Sequence, residues 1–97
     1  MPYLSFCRSV ELSFRQSFLK DLAAVADPGV AQQVRASIEA LEQASSLRAL
    51  TGVKKLKGAK SAYRIRLGTY RLGLYVEGRQ VEVVRLLPRK DIYRYFP

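Results

Sequence analysis

Residues 61–75 read SAYRIRLGTYRLGLY. Apolar and basic residues alternate on either side of Gly68-Thr69, which has the length of a tight two-residue β-hairpin loop. A two-residue loop at 68 and 69 fixes the pairing as Leu67 with Tyr70, Ile65 with Leu72 and Tyr63 with Leu74. Side chains alternate along a strand with period two, so these six share one face. Arg64, Arg66, Arg71 and Tyr75 then share the other, and Arg66 stands directly across from Arg71. Like charges opposed on a sheet destabilise each other. Three arginines converging with no carboxylate between them read as an anion site.

The hairpin extends in both directions. Towards the C-terminus, Glu77-Gly78 suits a second turn, and a third strand over about 80–86 puts Val81 and Val83 on the apolar face and Glu82 on the polar one. Arg85 falls on the apolar face in this count, so it is either structural or the mark of a bulge. Pro88 ends the sheet, and DIYRYF (91–96) suits a last helical turn. Towards the N-terminus, residues 45–61 read as a loop that carries Lys54, Lys55, Lys57 and Lys60. Val30, Val34, Ile38 and Leu41 recur at helical spacing, giving a helix to about Ala44. Asp27 is placed as its N-cap and Pro28 as its first residue. Phe18, Leu19, Leu22 and Val25 form the apolar face of an earlier helix, and SVELSF (9–14) reads as a first strand. The fold expected is α+β. One domain over 1–97 has an N-terminal strand, two antiparallel helices packed on an antiparallel sheet, and a short C-terminal helical turn.

Composition narrows the chemistry. The chain has no histidine and one cysteine, Cys7. That excludes an intramolecular disulfide and any His-dependent nucleophilic mechanism, and nearly excludes a zinc site of the Cys/His type. No metal or other cofactor is expected. No apolar run approaches the roughly 18 residues of a membrane span, and no leader is read in the first residues, so a cytoplasmic protein is expected. Lysine and arginine number 17 against 8 acids, a net charge of +9, which points to an anionic partner. Five of the acids lie in the first 45 residues. The second half, dense in cations, holds only Glu77, Glu82 and Asp91.

Arginine suits phosphate because its planar fork donates paired hydrogen bonds and keeps its charge. After the sheet come Arg89, Lys90, Tyr93, Arg94 and Tyr95. Cations interleaved with aromatic rings suit single-stranded nucleic acid, the cations taking phosphates and the rings unstacked bases. Tyr95 and Phe96 are read as packing onto the core, and Tyr93 as functional.

The order strand–helix–helix–three strands resembles the RelE/ParE superfamily of toxins from toxin–antitoxin pairs. So do SFLKDL (17–22), KKLKGAKSAYRIRLGTYRLGLY (54–75) and VEVVRLLPRKDIYRYF (81–96). The resemblance runs from about Val10 to Tyr95. It implies a ribosome-dependent endoribonuclease that cuts messenger RNA in the ribosomal A site. The cut would be made without metal, by attack of the 2′-hydroxyl on the adjacent phosphorus. It also implies inhibition by an acidic antitoxin in a hetero-oligomer. Carried over by position, the catalytic set is Arg64, Arg66, Arg71, Arg89 and Tyr93, and Lys54, Lys55, Lys57, Lys90 and Arg94 bind RNA. The general base stays open between Tyr93 and Lys57. Arg66 stands where some relatives carry lysine, and Leu87-Pro88 where many carry Gly-His. Two other readings fit the same resemblance: a ParE-like inhibitor of DNA gyrase, or a non-catalytic module that binds nucleic acid or the antitoxin.

The opposed pair gives a sequence-level expectation for stability. Arg66→Ala and Arg71→Ala should leave the fold intact or stabilise it, by a few tenths of a kcal/mol to about 1 kcal/mol, while lowering toxicity.

Overall fold

A computed structural model of the chain describes residues 10–43, 52–58 and 60–97. Cys7, the first residue of the expected first strand and the expected helix end at Ala44 lie outside these residues. The described elements are β1 (Glu11–Phe14), α1 (Gln16–Ala24), α2 (Pro28–Gln43), β2 (Val53–Lys55), β3 (Ala62–Leu67), β4 (Tyr70–Glu77), β5 (Gln80–Pro88) and α3 (Arg89–Tyr95). Five strands form one sheet in the order β1-β5-β4-β3-β2. All neighbours are antiparallel except β1 and β5, which run parallel. Among the described residues no helix is long and apolar enough to cross a membrane.

The central hairpin has the register that alternation requires: Leu67 opposite Tyr70, Ile65 opposite Leu72, Tyr63 opposite Leu74 and Arg66 opposite Arg71. Gly68 adopts φ 62°. A positive φ at the first loop position turns the chain with the twist of the two strands, and glycine takes it without steric cost. Glu77 pairs with Gln80, so the second turn is Gly78-Arg79, one residue later than Glu77-Gly78.

The apolar face carries the main core. Tyr63, Ile65, Leu67, Leu72, Leu74, Val76, Val81, Val83 and Leu86 pack there against Phe18 of α1 and Val30, Val34 and Leu41 of α2. Asp27 caps α2 as its position implies, its carboxylate accepting the Gly29 N–H at 2.8 Å. Leu19 departs from the expected apolar face and is 43% exposed. Consecutive helical residues point about 100° apart, and Phe18 takes the buried direction.

Two further departures shape the site. Residues 53–55, expected in a loop, form β2 and extend the sheet beside β3. The Arg66 N–H donates to Gly52 O at 3.0 Å and Val53 packs on the core edge. A three-residue strand is too short for alternation to announce it. In β5 the register slips: Leu74 pairs with Val83 but Gly73 with Arg85, leaving Val84 as a bulged extra residue. The bulge reconciles Arg85 with the apolar faces of Val83 and Leu86. It sits where β1 stops covering the outer edge of β5, and α1 takes over that edge with side chains. Ser17 Oγ donates to Val84 O at 2.6 Å, and Asp21 Oδ2 accepts the Leu86 N–H at 2.9 Å. An edge that would otherwise bury unpaired backbone groups is thereby satisfied.

The polar face is not simply wet. Leu56, Ala62, Val84, Ile92 and Phe96 form a second, smaller core there, with Tyr75 and Leu87 at its margin. It fixes α3 across half of that face. Phe96 lies on Gly73, where a Cβ would come within 2.8–3.0 Å of three ring atoms. Phe96 is 2% exposed, as its packing role requires, whereas Tyr95 is 54% exposed and does not join the core.

The Gly73 slot carries a prediction. Gly73→Ala should destabilise the fold by about 1–3 kcal/mol through overpacking, measured by urea unfolding. Pairing it with Phe96→Leu, which removes the ring, should recover part of that loss.

Candidate active site

The polar face left open by α3 is where the cations converge. Alternation on β3 and β4 turns Arg64, Arg66 and Arg71 to this side, and Lys54 joins them because β2 pairs it with Arg64. Arg64 is staked at its base, with Nη1 donating to Gly52 O at 2.6 Å. That carbonyl also accepts the Arg66 N–H, so one oxygen ties the approach to β2 to two adjacent arginines. Arg71 is 7% exposed. Its Nη1 donates to Gly68 O and to Tyr70 O, each at 2.8 Å. The guanidinium therefore holds the hairpin loop as well as facing the site.

α3 supplies the rest. Its first residue, Arg89, is pinned by a bond from its N–H to Thr69 O at 2.8 Å. One turn later Tyr93 projects from the same flank, 57% exposed, and its hydroxyl accepts a hydrogen bond from Arg64 Nε at 3.4 Å. An open groove of about 810 Å³ runs between the 68–69 loop and α3, with Arg71, Pro88, Arg89, Lys90 and Tyr93 in its walls.

The electrostatics follow from this crowding. Burial lowers the Arg71 pKa, and Arg64, Arg89 and Arg66 lower it further. Arginine keeps its proton regardless, so the shift records first the burial of this guanidinium and second the cations crowded around it. The Tyr93 phenol is also pulled below its ordinary value. The hydrogen bond from Arg64 is the largest cause, and the charges of Arg64, Lys54 and Arg71 add to it against a smaller opposing effect of burial. Among the described residues the ion pairs are Arg15–Glu82, Arg79–Glu11 and Arg85–Asp21, on the β1 and α1 side of the sheet. None uses a site arginine.

The residues expected at the site divide. Arg64, Arg66, Arg71, Arg89, Tyr93, Lys54 and Lys90 come together. Lys55 pairs with Tyr63 and so turns to the face that α1 and α2 cover. With Lys57 and Lys60 it lines a separate hollow of about 500 Å³. Arg94 lies one turn beyond Lys90 on α3 and does not line the groove. Sequence reading missed Gly52, whose carbonyl anchors Arg64, and Gly73, whose bare backbone seats Phe96. The second was signalled: a glycine inside a strand often marks a close approach.

This architecture is that of a known class of small toxin. The family model described as the ParE toxin of the type II toxin–antitoxin system parDE matches residues 12–93. Toxin RelE3 of Methanocaldococcus jannaschii is 40% identical over 90 residues, covering 91% of this chain and all of the relative. The toxin fold in the RelB–RelE antitoxin–toxin complex from Methanococcus jannaschii superposes with a TM-score of 0.75. It is 38% identical and covers 88% of this chain and 99% of that one. The RelE–RelB complex from Pyrococcus horikoshii OT3 shares the fold at a TM-score of 0.69 and 23% identity, over 87% and 99% of the two chains. The chain belongs to the RelE/ParE superfamily of toxins. Within it, the identity to Toxin RelE3 and the likeness to the RelB–RelE complex place it with the toxins of RelBE-type pairs.

The structure separates two arginines that the sequence treats alike. Arg66 is exposed, and Arg66→Ala should change stability by less than about 0.5 kcal/mol. Arg71→Ala removes the donor that binds two loop carbonyls and should cost about 1–3 kcal/mol, contrary to the expectation from like-charge repulsion alone. Denaturant midpoints of the two variants, compared at constant m-value, check the difference.

Proposed function

We propose that this chain is an endoribonuclease that cuts messenger RNA in the ribosomal A site of the cytoplasm. The observation that carries the reading is the convergence of Arg64, Arg66, Arg71 and Arg89, with no carboxylate partner among the described residues, around a Tyr93 hydroxyl that Arg64 already engages. In-line attack of a 2′-hydroxyl on the adjacent phosphorus builds negative charge on the non-bridging oxygens. Guanidinium groups preset around that position stabilise the charge more in the transition state than in the ground state. Arg71, Arg64 and Arg89 take this role, the charge a metal would otherwise supply. Lys54 and Lys90 hold flanking phosphates.

Tyr93 is the base that the geometry favours. Lys57, the other candidate, lines the separate hollow with Lys55 and Lys60. A phenol with a lowered pKa yields more phenolate near neutrality. The phenolate takes the 2′-hydroxyl proton, the 2′-oxygen bonds to phosphorus as the P–O5′ bond breaks, and water protonates the leaving 5′-oxygen, giving a 2′,3′-cyclic phosphate and a 5′-hydroxyl. The base must be unprotonated, so the rate of the chemical step should rise with pH and level off below the roughly 10 of a free tyrosine.

The relatives solved as RelB–RelE complexes support an antitoxin partner. An acidic segment that folds on binding would meet the unopposed arginines and cover the groove.

Three measurements test the reading. Primer extension on a translated message should map cuts inside codons, and the same message without ribosomes should stay whole. Intact messages accompanied by DNA-damage signalling would favour gyrase inhibition, the ParE-type reading that the family model leaves standing. Tyr93→Phe should slow single-turnover cleavage by about 10²–10⁴-fold and flatten the pH dependence if the hydroxyl transfers the proton; a ring that only stacks would tolerate the change. Co-expression with an acidic protein encoded beside this chain should yield a stable complex and abolish growth arrest; a toxin that ignores that neighbour would sink the partnership.

A further inference from the structure

Tyr93 and Arg89 reach the site only if α3 is held at one rotation about its axis. Ile92 and Phe96 seat the helix on the sheet and the Arg89 N–H ties its first residue to Thr69 O, so the rotation of its second turn is left to contacts on its flanks. With about 100° between consecutive residues, Arg89 and Tyr93 project on one flank of Ile92 and Tyr95 on the opposite flank. On that second flank the Arg85 guanidinium lies 5.7 Å from the centre of the Tyr95 ring. Arg85 is itself immobilised from α1: its Nε donates to Asp21 Oδ2 at 2.7 Å and its Nη2 to Asp21 Oδ1 at 3.2 Å. The same carboxylate accepts the Leu86 N–H. The pair is largely withdrawn from water, with 26% of the Arg85 side chain and 14% of the Asp21 side chain exposed. Such a bidentate fork is rigid, and a guanidinium over a ring face is attractive.

We propose that Asp21, Arg85 and Tyr95 form a clamp that stops α3 rolling, and that they are positioning residues for Tyr93 and Arg89. The clamp gives a role to an exposed tyrosine that joins neither core cluster and to Arg85 of β5, which is tied to Asp21 of α1. Its part in catalysis rests on the nuclease reading above, but its effect on the place of Tyr93 does not. If α3 rolls, Tyr93 leaves Arg64 Nε on β3 and moves relative to Lys54 on β2, Arg71 on β4 and Arg89 on its own helix.

The test uses the whole chain with ¹³Cζ-labelled tyrosine. The Tyr93 resonance is assigned by its loss in Tyr93→Phe, and its titration is followed by NMR. Single-turnover cleavage on programmed ribosomes is measured alongside. Tyr95→Ser and Arg85→Met should both move the Tyr93 titration upward, towards that of a free tyrosine. Both should lower the maximal single-turnover rate on the order of 10- to 100-fold, as expected for misplaced catalytic groups, with the half-saturating ribosome concentration little changed. Tyr95→Phe keeps the ring and should behave as wild type in both measurements. Because Tyr95 is exposed, Tyr95→Ser serves even if Arg85→Met fails to fold. A Tyr93 titration and a single-turnover rate unchanged in Tyr95→Ser would overturn the clamp. If the wild type cuts no message, the nuclease reading falls, and the Tyr93 titration alone still decides the clamp.

Discussion

Phe96 lies on the bare backbone of Gly73 with no room between them for a methyl group. Much of the molecule's chemistry depends on that contact. Without a flat seat at Gly73, α3 has no place on the polar face of the sheet. Arg89 and Tyr93 then have no fixed relation to Arg64 and Arg71. The contact also divides the polar face into an apolar half, closed by Ile92 and Phe96, and a cationic half facing the groove. Apolar burial pulls α3 onto the sheet while like charges push at its edge. Burying a ring of this size contributes about 1.5–3 kcal/mol, enough to offset several repulsions of a few tenths each between partly solvated cations.

That balance explains why the site tolerates so much uncompensated charge. The main core lies on the other face, under α1 and α2, and does not involve the arginines. Among the described residues, the acids that form ion pairs do so elsewhere, along β1 and the outer edge of β5. None of those pairs takes an arginine of the groove, so its cations face one another without neutralisation from these acids. Local preference is set aside at one place and supported by a fold built independently of it.

Most of the fold was legible because the hairpin is strictly alternating and its loop is short. Length and period together left one register, and the faces of Arg64, Arg66 and Arg71 followed. Arg85 was legible as an anomaly, and the bulge at Val84 is its cause. β2 was not legible: Val53–Lys55 is too short to show a period, and its pairing is set by Gly52 and Arg66, contacts that only the folded chain makes. The cation list was over-inclusive for the same reason. Charge along a sequence does not say which face a residue takes, so Lys55 and Lys57 read like Lys54 until β2 placed them. The burial of Arg71 was hidden too, because its partners are carbonyl groups and every residue offers one.

The parallel pairing of β1 with β5 sets an order of events. Leu12 lies beside Val81 and Phe14 beside Val83, so an early strand waits for one made nearly seventy residues later. Contacts this distant in sequence are slow to form. Helices α1 and α2 and the β3–β4 hairpin need only near neighbours, but the sheet has no edge for β1 until β5 exists. Arg89 and Tyr93 follow β5 and are translated later still. The arginines of β3 and β4 are thus made before the residues that complete the groove. A nascent chain still lacking α3 carries the charge of the site without its geometry. Assembly order alone delays completion of the groove until the last described helix has been made and docked.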